Sequence, residues 1–494
     1  MGGHQVSVRA HDRLLEGSLR TRQGPGGWSG ILSNSTEHAG DPAVSEQARG
    51  LSPRTRVPRL PGPRVLTLNS LGSASSWLWS GLLLGLCLSA KAPVQAAPVV
   101  LLPKQALAAE DIAIIVNRRD PISVAVGRYY RRARGVPTDH VIEVSFRAGS
   151  SEIAASEFES VYARVQSQTP EEVQAYALTW TQPYRVDCMS ITTAFALGFD
   201  EDYCASGCRL TKASPYFASK SRRPFAADGI RPTMMIPGPT FEAAQALIDR
   251  GVAADNTRPS GTAYLVSTSD KARNVRAQGY AETIRELGEA LRIRRLSADF
   301  IQGKSDVLFY FTGAVEVPRL TTNGFRPGAI ADHLTSTGGK LTDSHQMSSL
   351  RWLDAGATGS YGTVTEPCNF VAKFPDVRAV IRAYVTGSTL LEAYWQSVLM
   401  PGQGVFVGEP LARPYGGYLM SNRGGQWVLS TYALKPGAYR LEGASSPLGP
   451  YKSVMTFVKP SAQRVELRLP LPVLKYYRIL EGPAPAQGRD LTLN

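Results

Sequence analysis

Along most of the chain short apolar runs alternate with amphipathic stretches, and near residue 415 the pattern changes. Ile112-Ala113-Ile114-Ile115-Val116-Asn117 is a continuous apolar run of the kind that forms a parallel strand buried on both faces. Asp120-Pro121 then supplies an N-cap followed by Pro at the first helical position. Gly135 and Pro137 end the helix that carries Val124, Tyr129, Tyr130 and Ala133. The same alternation predicts strands near 142–146, 176–179, 233–236, 263–266, 307–311 and 404–408. It predicts helices near 158–165, 280–291, 348–353, 377–384 and 390–395, and another over 241–250 between a Thr240 cap and a Gly251 stop. Strands separated by helices imply an α/β fold with a mostly parallel sheet and helices on both faces.

Beyond about Tyr415 the period becomes two, as in Tyr439-Arg440-Leu441-Glu442 and Val465-Glu466-Leu467-Arg468-Leu469, which predicts a small C-terminal β-sandwich. No internal repeat is visible. Residues 1–64 are rich in Arg, Gly, Pro and Ser without either period and cannot bury enough apolar surface to offset their ordering entropy. They are expected to be disordered or not translated, with translation starting nearer Val65. The run Trp77–Leu88 has the length of a signal-peptide core and is too short to span a bilayer, and Val94-Gln95-Ala96-Ala97 places small residues at a cleavage site. The expected organisation is therefore a signal peptide at 65–96, an α/β domain at 97–415 and a β-sandwich module at 416–494. The mature chain is expected in the periplasm or outside the cell, without a transmembrane anchor.

A chain of 494 residues with 43% hydrophobic and 19% charged residues has material for two folded units. Its net charge of +13 invites a nucleic-acid partner. However, ten Lys and Arg stand against five Asp and Glu in residues 1–97, so the mature excess is only +8, and no nucleic-acid-binding motif accompanies it. No nucleic acid is expected. Cys87 lies in the signal segment, leaving Cys188, Cys204, Cys208 and Cys368, an even number that suits disulfides in an oxidising compartment. The short spacing of Cys204 and Cys208 favours that pair, with Cys188–Cys368 as a companion. A zinc site is the competing reading, but no second Cys or His pair completes it, and no metal or cofactor is expected.

Ligands of open parallel sheets bind outside the carboxyl ends of strands, which selects Asn117, Arg118 and Arg119, then Thr181, Gln182 and Arg185, and later Asp270, Thr312, Gly313 and Glu316. The densest polar block is Asp332-His333-Leu334-Thr335-Ser336-Thr337-Gly338-Gly339, holding one of only three mature histidines; His345 follows closely. A carboxylate can orient an imidazole that serves a hydroxyl, although neighbouring Asp and His on one chain point in different directions. A second block runs from Gly356 to Asn369 and includes Glu366 and Cys368. Its glycines permit close backbone approach or expose amides to an anion. Asp332, His333, Ser336, Glu366 and Cys368 are thus the candidate site, expected to share one pocket. They would make a hydrolase if His333 serves Ser336 or Cys368, and a binding protein otherwise.

The blocks Asn117…Asp120-Pro121…Ser123, Thr179-Trp180-Thr181-Gln182-Pro183-Tyr184-Arg185-Val186, Asp332–Gly339, Glu366-Pro367-Cys368-Asn369…Lys373-Phe374-Pro375 and Gly408-Glu409-Pro410-Leu411-Ala412 span about 110–415. In these blocks the chain resembles a family of exported bacterial proteins that occurs in genomes carrying the exosortase sorting system. The resemblance implies export and a link to envelope or extracellular-polymer components, but no particular activity. Without the Pro-Glu-Pro tail of exosortase cargo, the chain is not expected to be such a cargo. More distantly it is similar to gingipain-like cysteine peptidases of the caspase fold, which implies a caspase-like scaffold. Where those peptidases carry His-Gly this chain has Ala314-Val315, and where they carry the nucleophilic Cys it has Thr335 or Ser336, so the resemblance implies that their dyad is absent.

Overall fold

The structure is a computed structural model that describes residues 96–204 and 208–482; the segments read as 1–64 and as the signal peptide lie outside the described residues, apart from Ala96 itself. Ten strands form the central sheet: β1 (Ile112–Asn117), β2 (Val141–Val144), β3 (Ala175–Leu178), β4 (Thr233–Met235), β5 (Thr262–Ser267), β6 (Arg292–Ser297), β7 (Val307–Gly313), β8 (Phe325–Leu334), β9 (Gly359–Thr363) and β10 (Gly404–Gly408). Their order is β6-β5-β7-β8-β9-β10-β4-β3-β1-β2. All neighbours are parallel except β9 and β10, which pair antiparallel from Gly359 opposite Gly408 to Thr363 opposite Gly404. The sheet is therefore two parallel five-stranded halves running in opposite directions, with their carboxyl ends at opposite edges.

Each half repeats one topology. The first half reads β2-β1-β3-β4-β10 and the second β6-β5-β7-β8-β9, both the 2-1-3-4-5 order of doubly wound sheets. The repeat lies in topology and leaves no trace in the residues. The chain completes four strands of the first half, builds the second, and returns to supply the fifth strand of the first at the seam.

Alternate residues of β5, β7 and β8 fall into two apolar clusters, which shows that both faces of the second half are covered. Ala263, Leu265, Phe309, Phe311 and Ile330 join the main core, whereas Tyr264, Val266, Tyr310 and Ala331 pack around Trp352. Helix α1 (Pro121–Arg134) is capped as its sequence predicts: the Asp120 carboxylate accepts from Ile122 N at 2.9 Å, and Gly135 takes the left-handed conformation. Helix α2 (Ala155–Gln168) buries Phe158, Val161 and Val165. Helix α3 (Phe241–Ala254) runs through the predicted stop at Gly251. A Cβ there would stand 2.5 Å from the Glu409 side chain, so the glycine makes room for the buried Arg134–Glu409 ion pair rather than ending the helix.

Three strands of the central sheet escape the periodicity argument: β6, β8 and the glycine-rich β9. β6 is an edge strand reading Arg-Ile-Arg-Arg-Leu-Ser, and it has no apolar run because most of its residues face solvent. β8 extends through Asp332 and His333, the first two residues of the densest polar block.

The C-terminal region forms two small sheets. Leu419–Arg423, Gln426–Thr431 and Val465–Arg468 make one; Gly437–Ala444, Lys452–Lys459 and Tyr476–Glu481 make the other. Residues from both, including Leu429, Leu467, Leu441 and Ile479, share one apolar cluster. That cluster also takes in Val100, because Val99–Leu101 pairs parallel with Tyr476–Arg478. The 416–494 segment therefore borrows a strand from the start of the described chain.

Candidate functional site

In β8 the side-chain period of two sends Asp332 and His333 to opposite faces of the sheet. Both residues are 1% exposed. Asp332 stands in register with Phe311 and faces Arg276, whose guanidinium lies 2.6 Å from Asp332 Oδ1. The angle is poor enough that neither carboxylate oxygen has a well-aligned hydrogen bond. Burial raises the Asp332 carboxyl above the ordinary aspartate range against the pull of Arg276. Arg276 also donates to Thr312 O at 2.8 Å, which ties the end of β7 to the same ion pair.

His333 faces the other way, in register with Thr312, toward the short helix α4 (Leu350–Asp354). The Trp352 indole N–H donates to His333 Nδ1 at 2.9 Å, and His333 Nε2 lies 3.1 Å from Met347 O. An indole nitrogen is donor only and a carbonyl acceptor only, so the ring is the neutral Nε2–H tautomer with both nitrogens engaged. Burial, then the positive charge of Arg276, lowers its pKa to about 3. No lone pair is left for a hydroxyl or thiol, and Asp332 cannot orient the ring from the opposite face.

The remaining candidates are dispersed. The Thr335 hydroxyl donates to Gln346 Oε1 at 2.7 Å and accepts from Arg273 Nε at 3.2 Å. Ser336 is half-buried, and its carbonyl accepts from the Thr363 hydroxyl at 2.9 Å. Glu366 is exposed, and its carboxylate accepts from Cys368 N at 2.7 Å. His345 is exposed on the loop after β8. The structure thus brings none of the candidate nucleophiles to His333, and the expected shared pocket of His333 and Glu366 does not form: one is sealed in the sheet, the other faces solvent.

The cysteine pairing is corrected. The disulfides are Cys188–Cys204 and Cys208–Cys368, each with Cα atoms 5.4 Å apart, rather than Cys204–Cys208 with Cys188–Cys368. The segments carrying Cys188 and Cys368 are held together by a hydrogen bond from the Thr365 hydroxyl to Cys188 O at 3.2 Å, and Cys204 and Cys208 each bond to one of them. Each cysteine therefore finds its partner on a neighbouring segment instead of within its own. Cys368 offers no thiol, and the four sulfurs are not available as zinc ligands.

The glycine blocks hold backbone against backbone. A Cβ on Gly339 would meet Gly362 O at 2.5 Å, and Gly339 N donates to Thr363 O at 2.9 Å, so these residues lay the loop after β8 directly on β9. Lys373, which belongs to the matching blocks but is given no role by the sequence, is a further buried polar residue. Its side chain is fully buried without a hydrogen-bond partner for Nζ, and burial lowers its pKa to about 8 against the opposing pull of Glu366. A lone lysine in a mixed loop gives no sequence signal of that burial.

The chain matches no protein-family model and no curated protein sequence. Among solved structures it is similar to one described as "Structure of Protease", at 8% identity and a TM-score of 0.33, over 73% of this chain and 97% of that one. A likeness that weak carries no argument about fold or activity. The family resemblances drawn from the motifs rest on those motifs alone.

Proposed function

We propose that this chain is an exported binding protein of an envelope or extracellular-polymer system, in which the Asp332–Gly339 block is a structural element of the sheet. The observation that carries the reading is the engagement of both His333 nitrogens by Trp352 and Met347. A general base needs a free lone pair within reach of the proton it removes, and this ring has none. Cys368 in a disulfide supports the same reading. Export is supported by the two disulfides and by the signal-like segment before Ala97. Among the described residues no helix is long and apolar enough to cross a membrane. The strand order of the second half supports a caspase-like scaffold, and the shared core of the two small sheets supports a β-sandwich module.

The test is a turnover screen of the purified mature chain against peptide, ester and glycoside probes, with an envelope-polymer binding assay in parallel. Binding without turnover is expected. Turnover that disappears in His333→Gln would replace this reading with a hydrolase acting through that residue.

A further inference from the structure

At the carboxyl ends of β1 and β2 a cleft of about 200 Å³ is lined by Arg118, Glu143, Ser145, Ser160 and Arg164, over a floor of Val144 and Val161. Its two guanidinium groups come from different elements, Arg118 from the turn after β1 and Arg164 from α2. The main chain beneath Arg118 and the guanidinium of Arg164 are both anchored. Arg118 N donates to Val144 O at 3.0 Å, and the preceding Asn117 is buried and bonded to Ser123, Phe146 and Arg119, so the turn is rigid. Arg164 Nε donates to Glu143 O at 3.0 Å, which orients the guanidinium; among the described residues its two terminal nitrogens meet no hydrogen-bond partner. Among the described residues neither Arg118 nor Arg164 meets a carboxylate within ion-pair distance. The same holds for Arg119 and Arg147, which stand exposed at this edge.

The equivalent place in the second half, at the carboxyl ends of β5 and β6, is acidic and satisfied. Asp299 accepts from Ser269 N at 2.7 Å, and Asp270 holds Arg273. A shared topology therefore does not by itself produce the open basic cleft.

We propose that the Arg118–Arg164 cleft binds a carboxylate-bearing saccharide unit, of the uronic-acid type, within an anionic extracellular polymer. The two forked donors that line the cleft match the planar acceptor geometry of a carboxylate. The Glu143 carboxylate and the Ser145 and Ser160 hydroxyls suit the hydroxyls of a sugar ring. Glu143 also disfavours a compact, multiply charged anion such as phosphate, which its carboxylate repels more strongly than it repels a single carboxylate. Strands of this type bind ligands outside their carboxyl ends, and the volume suits one ring rather than an extended chain buried whole. This assignment rests on the binding-protein reading above and supplies its ligand class.

The test is calorimetric titration of the full mature chain with polygalacturonate oligomers, neutral dextran and inorganic phosphate, together with Arg118→Gln, Arg164→Gln and, as a remote control, Lys452→Gln. Polygalacturonate is expected to bind in preference to dextran and phosphate. Each Arg substitution should weaken it about tenfold, the loss expected for one charge-assisted contact, while Lys452→Gln leaves it unchanged. Thermal midpoints measured alongside show that the variants fold. Undiminished binding in both Arg variants would overturn the site while leaving the binding function intact. Phosphate competing as well as uronate would overturn the saccharide class. Binding to none of the three probes would overturn the proposed ligand, and only turnover in the separate screen would overturn the binding-protein reading.

Discussion

The two halves of the central sheet share one strand order and treat their carboxyl ends in opposite ways. In the second half the ends of β5, β7 and β8 are closed by the chain itself. The Thr268 hydroxyl donates to Gly313 O at 2.6 Å, the Arg273 backbone packs so tightly on Gly313 that a Cβ would stand 1.9 Å from its oxygen, and Asp332 and His333 are sealed on either face. In the first half Asn117, Ser123 and Thr179 satisfy one another at the switch point, but the neighbouring edge carries arginines that meet no carboxylate among the described residues, around a cleft. A block dense in catalytic residue types can therefore be scaffolding, while exposed residues of a turn and a helix line an open cleft. Polar residues on a buried strand must be satisfied internally, which is what makes them conspicuous in the sequence and unavailable for chemistry.

The largest expected effect tests how firmly the closed half is held. Cys208–Cys368 fastens the loop after β9 to a segment contributed by the first half across 160 residues, whereas Cys188–Cys204 closes only 16. On chain-entropy grounds, replacing the long-range pair with serines should cost about 5 kcal/mol and the short-range pair about 3 kcal/mol. Urea unfolding of the two double variants would compare them directly. A smaller loss for Cys208/Cys368 would mean that the closed half does not depend on its tether.

The next effect concerns the ion pair beneath the seal. Arg276→Met leaves the buried Asp332 without its counter-charge and should cost about 3–5 kcal/mol, while adding Asp332→Leu should recover much of that loss because the desolvation cost disappears with both charges. Chemical denaturation of the single and double variants decides it. No recovery in the double variant would assign the pair a role beyond charge compensation.

A pH effect follows from His333. Its folded pKa of about 3 lies below the unfolded value near 6.5, so the unfolded state binds more protons between these limits. Stability is therefore lost as pH falls from about 6.5 toward 3, by up to about 1.4 kcal/mol per pH unit from this group, and is unaffected by it above 6.5. In His333→Gln, whose amide can both accept from Trp352 and donate to Met347, that part of the acid slope should vanish. An unchanged slope, measured as unfolding midpoint against pH, would mean that His333 titrates normally and is more open than its two hydrogen bonds indicate.

What the sequence made legible follows the same division. β1, β3, β7 and the capped helix α1 could be read because burial on both faces leaves a continuous apolar run and a cap leaves a residue signature. β6 could not, since an edge strand facing solvent keeps no such run; β8 was missed because Asp332 and His333 interrupt its apolar pattern while remaining buried, and β9 because Gly-Ser-Tyr-Gly-Thr contains no apolar run. Arg118 was selected by its place after a strand. Arg164 was missed because its partnership with Arg118 exists only once α2 packs beside β2. The cysteine pairing failed for a related reason: sequence distance favoured Cys204–Cys208, and only the crossing of three segments places Cys368 beside Cys208.

The smallest expected effect is the sharpest test of the contrast between closed and open halves. Arg118 is exposed without a side-chain partner, and Arg164 contributes one bond to a main-chain carbonyl that water can replace. Arg118→Gln and Arg164→Gln should therefore each leave stability within about 0.5 kcal/mol of the parent, as surface substitutions away from buried networks do. Any shift should favour the variants at low salt, because removing one of several unpaired like charges relieves repulsion, and it should shrink as salt screens that repulsion. Urea midpoints at low and high ionic strength would measure both the size and the sign. A loss well above 1 kcal/mol in either variant would make that arginine structural, and the first half would then be as closed at its carboxyl edge as the second.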